Sequence, residues 1–286
     1  MTFLDEAIWR GKVFSGGWVA AAGGDAAVVE PATGAEIGRT GLAAPSDISN
    51  AAQQAAAAQP AWAARPHSER AALLRRAADV WLANAAEIED WNIRESGKIL
   101  PAAQFETHVA TGEIFEAATL PSRPYGELLP SEQPRLSFAE RIPAGVVGVI
   151  APFNFPQILA IRSVAPALAL GNAVVLKPDP RTAVCGGVVL ARVFEEAGLP
   201  EGLLHVLPGG PDAGEAVVTE PLVRIVSFTG STAAGRRVGE LAGRLLKRVH
   251  LELGGNSAMI VLDDVDVDKA VSAGAWARSC TRARSA

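Results

Sequence analysis

The chain has 286 residues, 49% of them apolar and 20% charged, a length that fits about two domains and a composition that suits a soluble protein with a real core. Its formal charge of -5 is spread without runs of like sign, which excludes the basic footprint of a nucleic-acid binder. No stretch is long and apolar enough to span a membrane, residues Met1 to Arg10 form no signal-peptide core, and the two cysteines and four histidines make no metal-ligand spacing, so a cytoplasmic protein without metal or disulfide is expected.

The first half reads as helices. Ser46 is placed to cap a helix from Ile48 to about Gln59, ended by Pro60. Ser68 is placed to cap another, with Leu73, Leu74, Ala77, Val80, Trp81, Ile88 and Trp91 on one face, broken by residues 95–98. A third covers Ala102 to Ala118 with Phe105, Val109, Ile114 and Phe115 inward. Pro121, Pro124, Pro130 and Pro134 then predict an extended arm.

After Pro143 short valine- and isoleucine-rich runs alternate with longer amphipathic segments. Strands are predicted at Val146–Ile150, Ala173–Lys177, Leu204–Leu207, Arg224–Phe228, Arg248–Leu253 (extended) and Ala258–Leu262. Helices are predicted at Gln157–Leu170, Ala183–Ala197, Asp212–Val218, Ser231–Leu246 and Val267–Trp276. Apolar strands in strict alternation with helices argue a parallel sheet covered on both faces, a doubly wound nucleotide-binding type of domain.

The informative residues lie at the carboxyl ends of these strands, where ligands bind in such sheets. Asn154, set between prolines in Ala151-Pro-Phe-Asn-Phe-Pro156, presents a rigidly held amide suited to a developing oxyanion, or is an ordinary turn asparagine. Lys177 can reach a ribose hydroxyl or phosphate, or is a surface lysine. Gly230 and Ser231 open a helix whose free N–H groups suit a pyrophosphate; the competing account is a glycine turn with a serine N-cap. Glu252, before Gly254 and Gly255, is a general base if its surroundings are partly dry, or else a buried structural carboxylate.

Taken in order, Val-Ile-Ala-Pro-Phe-Asn-Phe-Pro, Val-Val-Leu-Lys-Pro, Phe-Thr-Gly-Ser-Thr and Leu-Glu-Leu-Gly-Gly-Asn-Ser resemble the aldehyde dehydrogenase superfamily from about Val28 to Trp276, most of all its benzaldehyde and vanillin dehydrogenase branch. The resemblance implies oxidation of an aldehyde, an aromatic one in that branch, to a carboxylic acid with NAD or NADP, through attack by a cysteine thiolate. It implies an α/β fold with a Rossmann-type parallel-sheet cofactor domain and N-terminal helices, most of the catalytic domain being absent. The implied organisation is an N-terminal helical part at 1–124 and a bridging, oligomerisation arm at 125–143. A Rossmann-type part at 144–254 and a stub of the catalytic domain at 255–286 follow. Carried over residue by residue, Asn154 is the oxyanion amide and Glu252 the base. Ile150, Ala151, Pro152, Phe153, Lys177, Gly209, Gly214, Phe228, Gly230, Ser231, Gly235 and Leu253 would hold the cofactor. Pro180, beside Asp179, stands where NAD-preferring members often carry a glutamate, so NAD against NADP stays open.

From about position 277 the chain departs from the family pattern, reading Ala-Arg-Ser-Cys-Thr-Arg-Ala-Arg-Ser-Ala where a segment ending in the nucleophilic cysteine is expected. A frameshift accounts for it: one added base permits Gly-Ala-Phe-Leu-His-Gln-Gly-Ala-Ile-Cys-Met, with the cysteine at position 286. Cys280 stands too early to substitute, and Cys185 reads as a buried structural thiol. A truncated, inactive chain is therefore expected, with apolar surface left open. Its implied partners are a small-molecule aldehyde and, in full-length members, further copies of itself. The alternative is a non-catalytic dinucleotide-binding or subunit-interaction fragment.

Overall fold

In the computed structural model, which describes residues 2–256 and 258–279, the chain does not begin with helices alone. After the short α1 (Glu6–Trp9) come four strands, β1 (Lys12–Ser15), β2 (Trp18–Ala20), β3 (Asp25–Val29) and β4 (Glu36–Gly41). Four helices follow: α2 (Pro45–Ala63), α3 (His67–Ala83), α4 (Ala85–Ser96) and α5 (Leu100–Ala117). The proline-rich arm is an exposed antiparallel hairpin of β5 (Gly126–Leu129) and β6 (Ser137–Glu140).

The alternating part holds β7 (Val146–Ile150), α6 (Pro156–Ala169), β8 (Ala173–Lys177), α7 (Val189–Glu196), β9 (Leu204–Val206) and α8 (Pro211–Thr219), then β10 (Val223–Thr229), α9 (Thr232–Arg244), β11 (Arg248–Glu252) and α10 (Val267–Ser279). The main sheet runs β11-β10-β7-β8-β9-β1-β2. Its first five strands are parallel, and β1 and β2 continue it antiparallel. The chain moves from β7 outward through β8 to β9, then returns to place β10 on the other side of β7. This reversal opens a crevice above the carboxyl ends of β7 and β10, the standard place for a ligand in an open α/β sheet. β7 and β8 are buried at every position, which explains their near-unbroken valine and isoleucine content.

Several sequence expectations need correction. Pro60 does not end α2, which runs to Ala63, because tertiary bonds hold its last turn: Trp62 Nε1 donates to Leu168 O at 2.8 Å and Gln59 Nε2 to Gly171 O at 2.7 Å. The cap at its start is Asp47, which accepts from Ala44 N at 2.8 Å and Ala22 N at 2.9 Å, not Ser46. The long helix expected after Ser68 is two, parted at Asn84, and the turn sets Trp91 edge-on to Trp9 at 5.6 Å. On α5, Phe105 and Phe115 face outward, 54% and 40% exposed, while the small residues Ala103, Thr107, Ala110 and Thr111 face the core. That stripe lets α5 approach α6 closely, so the largest apolar side chains mark the wrong face. The segment expected as one helix from Ala183 opens with a π-turn at Val184–Val188 before α7. Residues Ala258–Leu262 form no strand; Ile260 and Leu262 are 81% and 64% exposed, and no described strand lies beside them to complete a ladder. Among the described residues β11 is the edge of the sheet and mostly exposed, so the covering expected on both faces is incomplete there.

Among the described residues, no helix is long and apolar enough to cross a membrane, and no group of three or more His, Cys, Asp or Glu is placed to hold a metal ion.

Candidate active site

Four strand ends build the site. Ile150 ends β7, and Ala151 N donates to Lys177 O at 3.1 Å, tying that loop to the end of β8. The loop then enters α6, whose first free N–H groups are met from below by a buried carboxylate. Glu106 Oε1 accepts from Gln157 N at 2.9 Å and Ile158 N at 3.4 Å. The other oxygen of Glu106 accepts from Lys98 Nζ and, at 2.8 Å, from Asn92 Nδ2. Lys98 also lies 5.0 Å from the centre of the Phe155 ring. Asn154 is thereby held between Phe153 and Phe155, half-buried, with its Oδ1 buried and unpaired among the described residues.

Lys177, at the end of β8, is only 8% exposed. Burial lowers its pKa, and the nearby Asp179 and Asp212 carboxylates counter part of that effect. Asp179 caps the following turn, accepting from Arg181 N at 3.0 Å, and forms a two-pronged pair with the Arg181 guanidinium at 2.8 and 2.7 Å. The same guanidinium stacks on Phe153, 3.7 Å from its ring centre. At the end of β10, Gly230 allows a tight turn; a Cβ there would stand 2.7 Å from the Phe228 ring. Ser231 caps α9, its Oγ accepting from Ala234 N at 3.3 Å.

Two adjoining clefts result. The larger, of about 610 Å³, is lined by Ile150, Ala151, Pro152, Phe153, Lys177, Gly209, Gly214, Phe228, Gly230 and Ser231 from the sequence expectation. Asp179, Pro180 and Arg181 line it as well, with Pro211, Glu215, Ala234, Arg237, Val238 and Leu241. The smaller, of about 320 Å³, shares Pro152 and Gly230 and brings Asn154 and Glu252 together with Arg162 and Leu253. Leu253 and Gly235 stand outside the larger cleft: Leu253 packs over Gly235, where a Cβ would meet it at 2.2 Å.

Glu252 departs from its expected setting. Its side chain is 53% exposed and paired with His250 Nε2 at 3.1 Å, because β11 is an edge strand, mostly exposed among the described residues. The partly dry surroundings expected of a base are absent around it. Cys185 is fully buried, and burial together with the Glu95 carboxylate pushes its thiol well above the ordinary range. Cys280 and the rest of the tail lie outside the described residues.

Sequence reading missed the ion pairs of the larger cleft. Ala234, Val238 and Leu241 follow Ser231 at helical spacing and were open to discovery by periodicity. Arg181 and the Glu215–Arg237 pair, at 3.1 Å, carry no such signal.

Comparison with known proteins points one way. The aldehyde dehydrogenase family model matches residues 18–282. A vanillin dehydrogenase from Amycolatopsis sp. is 70% identical over 96% of this chain and 57% of its own length. A benzaldehyde dehydrogenase [NAD(+)] from Pseudomonas putida is 53% identical over 95% of this chain and 56% of its own. The crystal structure of a NAD-dependent benzaldehyde dehydrogenase from Corynebacterium glutamicum superposes with a TM-score of 0.87 at 44% identity, covering 93% of this chain and 59% of that one. The chain thus spans a little over half the length of these relatives. On its motifs, its fold and these matches, the chain belongs to the aldehyde dehydrogenase family.

Proposed function

We propose that this chain forms the dinucleotide-binding part of an NAD(P)-dependent aldehyde dehydrogenase acting on an aromatic aldehyde, and that the 286-residue polypeptide alone does not turn over. The observation that carries the proposal is the larger cleft at the sheet's switch point. Its volume suits a cofactor, its walls are largely apolar, and a lysine and a helix start converge on it. Lys177 would donate to ribose hydroxyls, and the start of α9 at Ser231 would face the pyrophosphate. The bound nicotinamide supplies a hydride acceptor.

In the adjoining cleft the Asn154 amide would donate to the oxygen of the aldehyde, and Glu252 would take a proton from water. The Glu252 role requires further polypeptide to cover β11, since its carboxylate is now open to solvent. Among the described residues, no cysteine lines either cleft. Cys185 is sealed in the core with its thiol held protonated, so it cannot attack a carbonyl. In the complete enzyme the exposed β5–β6 hairpin would serve subunit pairing.

Two measurements test this. Titration of the purified chain with NAD and NADP is expected to show saturable binding of at least one, and vanillin or benzaldehyde is expected to yield no NAD(P)H. Absence of binding by both nucleotides sinks the cofactor assignment, and robust aldehyde-dependent reduction sinks the inactivity.

A variant locates the ligand. Gly214 lines the cleft on α8, and a Cβ there would meet nothing within 4 Å. Gly214→Leu is expected to fill that space and weaken nucleotide binding by about tenfold or more. The fold should hold, since leucine favours a helix over glycine by roughly 1 kcal/mol. Unchanged affinity would move the ligand elsewhere.

A further inference from the structure

Among the described residues, the main sheet ends at β11 with main-chain groups left open. Strand alternation decides which groups these are. Glu252 O accepts from Gly230 N at 3.0 Å, so the N–H and C=O groups of Arg248, His250 and Glu252 turn inward to β10. Those of Val249 and Leu251 turn outward, to the side where no described strand lies. Apolar side chains line the same edge: Val249 is 38% exposed, and Leu246, just before the strand, 94%.

We propose that this edge pairs with the same edge of a second copy of the chain, antiparallel about a two-fold axis at His250, joining the two sheets into one. Charge complementarity selects that occupant. In this register the strand, Arg-Val-His-Leu-Glu, is complementary to itself. Arg248 stands opposite Glu252 of the second copy, and Glu252 opposite Arg248 of the second copy. Val249 of each copy exchanges main-chain bonds with Leu251 of the other, which satisfies the outward groups. Moving the axis to Val249 or Leu251 sets Arg248 or Glu252 against His250 instead, so no neighbouring register keeps both ion pairs. The bond from His250 occupies Oε1 of Glu252 and leaves Oε2 for the arginine.

The rest of the surface accommodates this pairing. α9 packs over β10 and β11, close above the strand: a Cβ at Gly239 would stand 3.4 Å from Leu251 Cδ1. The two-fold axis keeps both copies of α9 on one face. Strand spacing then sets them about 10 Å apart, an ordinary distance for packed helices. A five-residue ladder and one helix pair make a small interface, so the dimer is weak, with a Kd of roughly 1–100 μM. Pairing also spends the Glu252 carboxylate on an arginine and fills the edge that its role as a base needs covered by further polypeptide.

Sedimentation velocity across chain concentrations spanning that Kd tests the pairing. The native chain is expected to pass from monomer to dimer. Arg248→Glu and Glu252→Arg each turn both ion pairs into like-charge pairs, and each is expected to weaken the dimer about tenfold or more. An equimolar mixture of the two variants restores every pair and is expected to dimerise at least as well as the native chain. Both positions are exposed, and unchanged thermal midpoints will show that the fold is intact. Phe138→Lys, which charges the exposed β5–β6 hairpin, is expected to leave this dimer in place. A native chain that stays monomeric overturns the proposal. So does a dimer that both charge reversals leave unchanged, a mixture that fails to restore association, or association lost altogether in Phe138→Lys.

Discussion

Glu106→Ala is expected to lower the unfolding free energy by about 3–5 kcal/mol, the range for breaking one side of a buried ion pair. Glu106 and Lys98 have side chains 0% and 3% exposed. Without the carboxylate, the ammonium keeps only Asn92 Oδ1 at 3.4 Å and the face of Phe155. The first N–H groups of α6 lose their acceptor in the same stroke. The loop of Asn154 leads directly into those residues, so damage at Glu106 reaches the site from beneath. Urea unfolding measures the effect. The double variant Lys98→Met, Glu106→Leu removes both charges and is expected to recover much of the loss, since paired replacement of buried ions is often neutral. A cost below about 1 kcal/mol for Glu106→Ala would mean that water or relaxation rescues the lysine, and that the pair does not hold the loop.

Two buried groups are expected to pull stability in opposite directions with pH. His205 is fully buried, its Nε2 donating to Gly202 O at 3.0 Å and its Nδ1 accepting from Ser15 Oγ at 2.8 Å. Burial pushes its pKa from 6.5 down to about 4, against a smaller opposing effect of the Gly202 carbonyl. Glu95 accepts from Val184 N at 2.9 Å and Cys185 N at 2.6 Å. Burial drives its pKa from 4.5 up to about 7, although those bonds and Lys98 act the other way.

Between pH 4 and 6.5 the unfolded chain binds the additional His205 proton, so stability rises with pH. Between pH 4.5 and 7 the folded chain holds the additional Glu95 proton, so stability falls with pH. Each window is worth about 3 kcal/mol, and where they overlap the two slopes nearly cancel. Glu95→Gln is expected to leave the rising slope alone, its thermal midpoint climbing from pH 4.5 to 6.5. His205→Asn is expected to leave the falling one. The slope is the readout, because each substitution also shifts the overall level. Parallel profiles for the native chain and both variants would refute the account.

Much of the site was legible in the chain because its signals are local. Ala173–Lys177 and Val146–Ile150 are strands with the expected bounds, since a fully buried parallel strand is an unbroken apolar run. Lys177 and Glu252 end their strands and Asn154 and Ser231 come soon after theirs, so placing the strands placed all four at one end of the sheet. Gly230 and Ser231 mark a turn and a helix cap by stereochemistry alone.

Other features needed residues far apart in the chain. β1 and β2 are only four and three residues long, too short to show a periodicity of their own, and become strands by joining the edge at β9, where Ser15 meets His205. The inner face of α5 was set by how closely α6 approaches, which a hydrophobicity pattern does not encode.

By itself the sequence determined the α/β alternation, the strand-end motifs and their order, and through them the family. Tertiary structure alone decided that Glu106 underpins the Asn154 loop, that Arg181 is spent on Asp179 and Phe153, and that Glu252 lies open on an edge strand. The physical reason is the same in each case. Strand, turn and cap follow from neighbouring side chains and backbone, whereas burial and charge pairing depend on which distant segments the fold brings together.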